Sequence, residues 1–501
     1  MVMAATSEFL IADALYSVSS VRALDRCAID DRGIPGYTLM TRAAASAVNL
    51  ARRRFPGLAP WVVVCGGGNN AGDGYVMARL AAEAGIDVRT IALVEPSKLS
   101  GDAGRAVAEF VDAGLVASDW AGSIPADAGL IVDALLGSGL QRDVTGSFLA
   151  AVDAINAASA PVLSLDIPTG LDGDTGQIHG AAVAADATIT FVAQKCGLFL
   201  GEGPVLAGDV TFANLDIPAD CYTAQDPVLR LIPRSLVGEC LPPRPLDAHK
   251  GSFGHVVVVG GGPGMPGAAR LAGEAALRAG AGLVSVATHP DHAAEIAATR
   301  PELMVHATND GPGVASLLER ASVIAVGPGL GQTDWSRALL ATVLDSGKPL
   351  VVDADALNLI AGSEFYRPDS VITPHPGEAG RLLGLGTAEV QTDRITAATT
   401  LTRRYGATTI LKGAGSLVCG ADGETPLWLC RRGNPGMAAP GMGDVLTGVV
   451  AALVAQRLPP SLAAVCGVEV HARAGDLAAG SRQRGMLASD LVDALRSVVN
   501  P

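Results

Sequence analysis

The chain has 501 residues, of which 50 are acidic and 36 basic, giving a formal net charge of −14, and its Lys and Arg residues gather into no stripe. That length exceeds what one core usually serves, so two domains are expected, and the scattered basic charge excludes a nucleic-acid backbone as partner. The eight cysteines, at 27, 65, 196, 221, 240, 419, 430 and 466, form no CxxC or CxxH pair, so neither a zinc site nor a disulfide framework is expected and a reduced, cytoplasmic setting fits.

The opening MVMAATSEFLIADAL lacks a basic region, and Asp13 breaks its apolar run, so no signal or anchor is expected. Apolar stretches such as 446–454 fall short of the roughly 20 residues of a membrane span. The protein is therefore expected to be soluble, with no membrane partner. Short β-branched runs come next, each followed by glycine and then by an Ala/Leu-rich helical stretch: WVVVCGGG (61–68), GLIVDALLG (129–137) and PVLSLDIP (161–168). This alternation predicts a parallel sheet covered by helices on both faces.

The first of these loops, Gly66–Gly–Gly–Asn69–Asn70–Ala71–Gly72–Asp73–Gly74, is expected to open the helix YVMARLAAEAG. Glycine alone would serve a turn. Two Asn and an Asp beside free N–H groups also offer oxygens and donors suited to a hard cation and a phosphate. Asp133 and Asp166 fall at the ends of the next predicted strands, the usual place of a ligand crevice in a parallel sheet.

After Leu215 the rhythm fails, and the segment to His249 carries several prolines, including LPPRP at 241–245. The boundary is expected between 222 and 231, dividing the chain into domains 1–222 and 231–501. The alternation restarts with HVVVVGGGPGMPGAAR (255–270) and continues through SVIAVGPGLG (322–331), PLVVDADALN (349–358) and TTILKGAGS (408–416). The spacing Gly262-x-Gly264-x-x-Gly267 matches a dinucleotide fingerprint, but the acidic residue that fingerprint needs about 20 positions on is missing, since that strand ends in Ala287, Thr288 and His289.

The strongest chemistry lies at GNPGMAAPGMGDVLTG (433–448), where glycines lead into an aspartate and a helix-forming run. Free N–H groups and the dipole at such a start attract phosphoryl oxygens. Asp444 there could take a proton from a hydroxyl attacking a bound phosphate. A capping aspartate beside turn glycines is the bland alternative. Two companions outweigh it: Lys412–Gly–Ala–Gly–Ser416 after a strand, and the framed imidazole of Thr373–Pro–His375–Pro–Gly–Glu378.

Together GPGLG, TPHPGEAGRL (373–382), LKGAGS (411–416) and GNPGMAAPGMGDVLTG resemble the ribokinase-like NAD(P)H-hydrate dehydratases over nearly all of 250–501. By that resemblance Ala268, Gly329, His375 and Asp444 contact the hydrated nicotinamide nucleotide, with Asp444 as catalytic base. Lys412, Gly413, Ala414, Gly415, Ser416 and Gly443 hold the adenine nucleotide. The three earlier loops resemble the NAD(P)H-hydrate epimerases over about 10–220. That resemblance implies potassium on Asn70, Asp133 and Thr169, with Thr169 where Ser is more usual. It implies substrate on Asn69, Asn70, Ala71, Gly72 and Asp73, on Gly137, Ser138, Gly139, Leu140, Gln141, Arg142 and Asp143, and on Asp166, the second catalytic residue.

The resemblance thus implies an α/β chain, a Rossmann-like parallel three-layer domain followed by a ribokinase-like one. Its expected activity is repair of hydrated NADH and NADPH, with ADP as co-substrate, potassium in the first domain, magnesium in the second, and a homo-oligomeric assembly. The rival reading is a vitamin kinase of the ribokinase superfamily fused to a regulatory nucleotide-binding module.

Overall fold

Trp61–Cys65 is buried at every position, and a strand with no polar side chain to turn outward needs helices above and below it. The computed structural model, which describes residues 11–423 and 425–500, divides into two units, residues 1–229 and 230–501. The strands of the first are β1 (Ala14–Tyr16), β2 (Trp61–Cys65), β3 (Val88–Ala92), β4 (Ala117–Asp119), β5 (Leu130–Ala134), β6 (Val162–Leu165), β7 (Ala187–Phe191), β8 (Gln194–Lys195) and β9 (Asp209–Ala213). Seven of them form a sheet in the order β4-β3-β2-β5-β6-β7-β9, every pairing parallel. The chain leaves β2 toward β4 and returns on the other side through β5, so the topological switch lies between β2 and β5. A crevice opens there at the strands' carboxyl ends.

The second unit repeats the device with a different sheet. Its strands are β10 (Leu229–Leu231), β11 (His255–Val259), β12 (Leu283–Thr288), β13 (Met304–Ala307), β14 (Val323–Val326), β15 (Leu350–Val352), β16 (Val371–Ile372), β17 (Thr408–Leu411), β18 (Ser416–Cys419) and β19 (Trp428–Cys430). They run β13-β12-β11-β14-β15-β16-β17-β18-β19-β10, parallel as far as β17 and antiparallel at β17–β18 and β18–β19. The switch here lies between β11 and β14. The helix Met442–Ala455 is apolar almost throughout and lies against Pro266–Arg278 so closely that a methyl group on Gly448 would sit 2.0 Å from the Ala272 carbonyl oxygen.

Three expectations change. The helix after β2 begins at Asn69, not after Gly74, so the Asn-rich run is its opening turn. The prolines of 222–249 interrupt short elements, the helices Ala219–Thr223 and Leu236–Cys240 and the strand β10, where no element was expected. The expectation of no disulfide is overturned: Cys27 and Cys221 are bridged, with Cα atoms 5.9 Å apart. A pairing across 194 residues leaves no trace in local spacing. The leader reading of the first ten residues falls outside the described part. Among the described residues no helix is long and apolar enough to cross a membrane.

Candidate active sites

In the first unit, three of the expected loops meet at the switch point. Asn70 is buried, and neither its side-chain oxygen nor its nitrogen has a hydrogen-bond partner. A buried amide left unpaired is costly, so the site is shaped for something that supplies partners. Asp133, at the end of β5, is fully buried. One of its oxygens accepts from Thr169 Oγ1 (2.7 Å) and Leu135 N (3.2 Å), the other from Ser164 Oγ (2.8 Å) and Thr169 N (2.9 Å). Burial pushes its carboxyl up, against these donors. Thr169 Oγ1 accepts from Leu136 N at 3.0 Å and lies 3.2 Å from the Leu136 carbonyl.

Gly137 joins this cluster to Asp166. A methyl group there would lie 3.4 Å from Asn70 Cβ and 3.8 Å from Asp166 Oδ2. Ser138 and Leu140 are half-buried, and Gly139, Gln141, Arg142 and Asp143 line the exposed end of the same loop. Asn69 is exposed, and Ala71 is fully buried. Gly72 is packed so that a methyl group would meet Met40 Cε at 2.7 Å. Ala71 and Gly72 therefore face the core and can reach a ligand only through the backbone.

Asp166 adopts φ 66°, a left-handed conformation that costs a non-glycine residue and marks functional loops when observed. Its carboxylate is gripped by Lys195, which is 1% exposed and also donates to Thr190 Oγ1 (3.0 Å) and the Phe191 carbonyl (2.8 Å). Two further carboxylates face this pair. Burial raises Asp73 well above the ordinary range, helped by Asp166 and Asp25, and burial raises Asp25 to about 6. Lys195 and Asp25 were missed from sequence. Lys195 occupies a two-residue strand without a motif, and Asp25 belongs to a short amphipathic helix, Val18–Arg26.

In the second unit, Asp444 lies in the first turn of Met442–Ala455, behind Gly441 at φ 88°. The cap position is Gly441, and among the described residues the Asp444 carboxylate has no hydrogen-bond partner; burial, then Asp353, Asp355 and Glu378, raise it to about 7 against Lys412. Asp353, 1% exposed, accepts from Lys412 Nζ and from Thr447 Oγ1, both at 2.7 Å. Lys412 Nζ is also 3.7 Å from Glu378 Oε2. The ammonium thus turns to the carboxylates, while Gly413, Ala414 and Gly415 form a bend that leads into Ser416 of β18 and leaves Gly413 and Ala414 exposed. Arg394 braces that bend by donating to the Ala414 carbonyl at 2.6 Å. Gly443 stands beside this lysine, since a methyl group there would lie 3.3 Å from Lys412 Nζ.

His375 caps the helix Pro376–Leu383, its Nδ1 accepting from Gly377 N at 3.0 Å with Nε2 3.3 Å from Glu378 Oε1. The other loops expected to contact the substrate converge from the switch point. Gly262 N donates to the Gly329 carbonyl at 2.7 Å, and a methyl group on Gly329 would touch Ala268 Cβ at 3.0 Å. Gly331 N donates to Asp355 at 2.8 Å. A residue missed from sequence, His471, is buried behind Asp444 with Nε2 2.9 Å from the Met442 carbonyl. Burial lowers its pKa to about 4, so a neutral imidazole holds that turn.

Both units are similar to known proteins. Residues 256–497 match the NAD(P)H-hydrate dehydratase family and residues 36–197 the YjeF-related protein N-terminus. A bifunctional NAD(P)H-hydrate repair enzyme of Coxiella burnetii is 43% identical over 97% of this chain and 99% of its own, and one of Escherichia coli is 43% identical over 97% and 94%. A ribokinase-like superfamily protein of Enterococcus faecalis covers 54% of this chain and 95% of its own, with a TM-score of 0.51 at 28% identity. The chain therefore belongs to the family of bifunctional NAD(P)H-hydrate repair enzymes, with a Rossmann-like unit followed by a ribokinase-like one.

Proposed function

We propose that the domain at 1–222 interconverts the R and S epimers of hydrated NADH and NADPH, and that the domain at 231–501 dehydrates the S epimer at the expense of ADP. The observation that carries this reading is the state of Asp444: a carboxylate with no hydrogen-bond partner among the described residues, raised to about 7, at a helix start whose N–H groups suit phosphoryl oxygens. Asp444 takes the proton of the C6 hydroxyl as that oxygen attacks the terminal phosphorus of ADP, and AMP leaves. The ring nitrogen's lone pair then expels phosphate from C6, and loss of a proton from C5 restores the dihydropyridine. Lys412 to Ser416 and Gly443 hold the adenine nucleotide, and Ala268, Gly329 and His375 hold the hydrate.

The protein oxygens near Asp444 are already committed, Asp353 to Lys412 and Thr447 and Asp355 to Gly331. They fit a magnesium ion that arrives on the nucleotide phosphates, where it would neutralise charge on the transferring group.

In the first domain Asp166 passes the proton to and from the C6 oxygen as its bond opens and re-forms on the other face of the ring. Lys195 fixes that carboxylate in place. The unpaired Asn70 oxygen, with Asp133 and Thr169, suits potassium, which would hold the three loops together and supply positive charge beside the substrate. Incubating the S epimer of hydrated NADH with ADP tests the reading: one AMP, one phosphate and one NADH should appear per ADP consumed. A stable phosphorylated small molecule with no NADH would replace it with a kinase.

A further inference from the structure

The helix Val18–Arg26 lies ahead of residues 36–197, the stretch that matches the YjeF-related protein N-terminus, yet it is packed on the loops of the first site. Val18 N donates to Asp174 at 2.6 Å, and a methyl group on Gly173 would lie 2.5 Å from Val18 Cγ2. One turn along, a methyl group on Gly139 would lie 2.9 Å from Arg22 Nη2. Glycine at 139 therefore makes room for a guanidinium in the loop 137–143. Buried Val21 and Leu24 fix the rotation of the helix, leaving Val18, Arg22 and Asp25 on one side.

A hydrated dinucleotide carries at least two phosphate charges, and the reacting end of this crevice is crowded with carboxylates, Asp25, Asp73 and Asp166. Its phosphates must therefore meet cations elsewhere. Of the thirteen Lys and Arg residues of this unit, eight hold a carboxylate, Arg32, Arg42, Arg54, Arg79, Arg89, Lys98, Arg105 and Lys195, and of the other five only Arg22 and Arg142 adjoin the loop 137–143. Arg22 is exposed, sits on the loop, and holds no carboxylate among the described residues. Arginine in such a place presents its planar fork to an anion.

We propose that Arg22 binds a phosphate group of the dinucleotide substrate in the first site, an inference that rests on the epimerase reading of that unit. The phosphate is either the pyrophosphate shared by both hydrates or the 2′-phosphate of the NADPH form. The test uses the full-length protein and measures epimerisation of hydrated NADH and hydrated NADPH by the unmutated enzyme, R22Q and R22K. In R22Q the KM should rise roughly 10- to 100-fold, the cost of a lost charged hydrogen bond. Its kcat should stay within about twofold and dehydration of the S epimer should be unchanged, showing that the chain is folded, and R22K should recover part of the loss. Equal rises for both hydrates assign the pyrophosphate; a rise confined to the NADPH form assigns the 2′-phosphate. An unmutated enzyme without epimerase activity overturns the parent reading. An active one whose KM is unmoved in R22Q overturns this inference alone.

Discussion

Asp166 and Asp444 stand at the ligand crevices of two parallel sheets, and the protein treats them in opposite ways. Asp166 is held in a left-handed turn and gripped by a buried lysine. The Asp444 carboxylate has no hydrogen-bond partner among the described residues at the mouth of a helix, and it is raised by burial and by neighbouring carboxylates. On the proposed function the difference follows from the chemistry of each. A base that must accept a proton from a hydroxyl near neutrality is served by a pKa close to 7. A carboxylate that shuttles a proton across the two faces of a ring is served first by being fixed in space.

The sharpest way to break the comparison is Asp444→Asn. Loss of a positioned base costs about 100- to 10,000-fold in rate, so recovery of the reduced-nicotinamide absorbance should fall by that factor. Nucleotide binding, followed by calorimetry, should persist because 412–416 and Gly443 are untouched. Next is Lys195→Met, which strands the Asp166 carboxylate and removes one donor each from Thr190 Oγ1 and the Phe191 carbonyl. Breaking a buried pair on one side costs about 3–5 kcal/mol, so thermal denaturation of the first unit should move down clearly. Epimerisation should fall with it. A first unit as stable and active as before would mean that the lysine does not hold Asp166.

Asp133→Asn keeps the shape of the cation cluster while removing its charge. Epimerisation should fall about 10- to 100-fold, as for partners that orient a metal site, and its dependence on potassium should weaken. Dehydration of the S epimer should be unchanged, and equal loss of both activities would point to unfolding instead. The smallest effect is a pH profile. Asp444 must be ionised to act, so dehydratase kcat/KM should fall about tenfold per unit as pH drops below about 7. The sign for stability is the reverse. A carboxyl raised from 3.8 to about 7 on folding favours the folded state most at low pH, and that contribution fades as pH rises across this interval.

How far these features were legible in sequence also differs between the sites. The strand-glycine-helix rhythm exposed both parallel sheets, because a strand buried on both faces must be apolar throughout, as WVVVC is. Asp444 was legible because glycines, an aspartate and a helix lie within one short stretch. Asp25 and Lys195 were not, because they reach Asp166 from remote segments whose local sequence has the look of ordinary amphipathic helix and edge strand. The same holds for Cys27 and Cys221, joined only by the fold. The start of the helix at Asn69 was hidden for another reason: two Asn and a glycine read as loop formers. Packing of Gly72 and Gly74 against Met40 and Ala134 overrides that preference.

One measurement tests the central claim, that a single chain carries both activities. The full-length protein is given the pure R epimer of hydrated NADH with ADP, and NADH, AMP and phosphate are followed to the end point. The account predicts complete conversion, with the three products in equal amounts and faster than the spontaneous epimerisation of R allows. Recovery no faster than that spontaneous rate, while the S epimer is dehydrated rapidly, would contradict it.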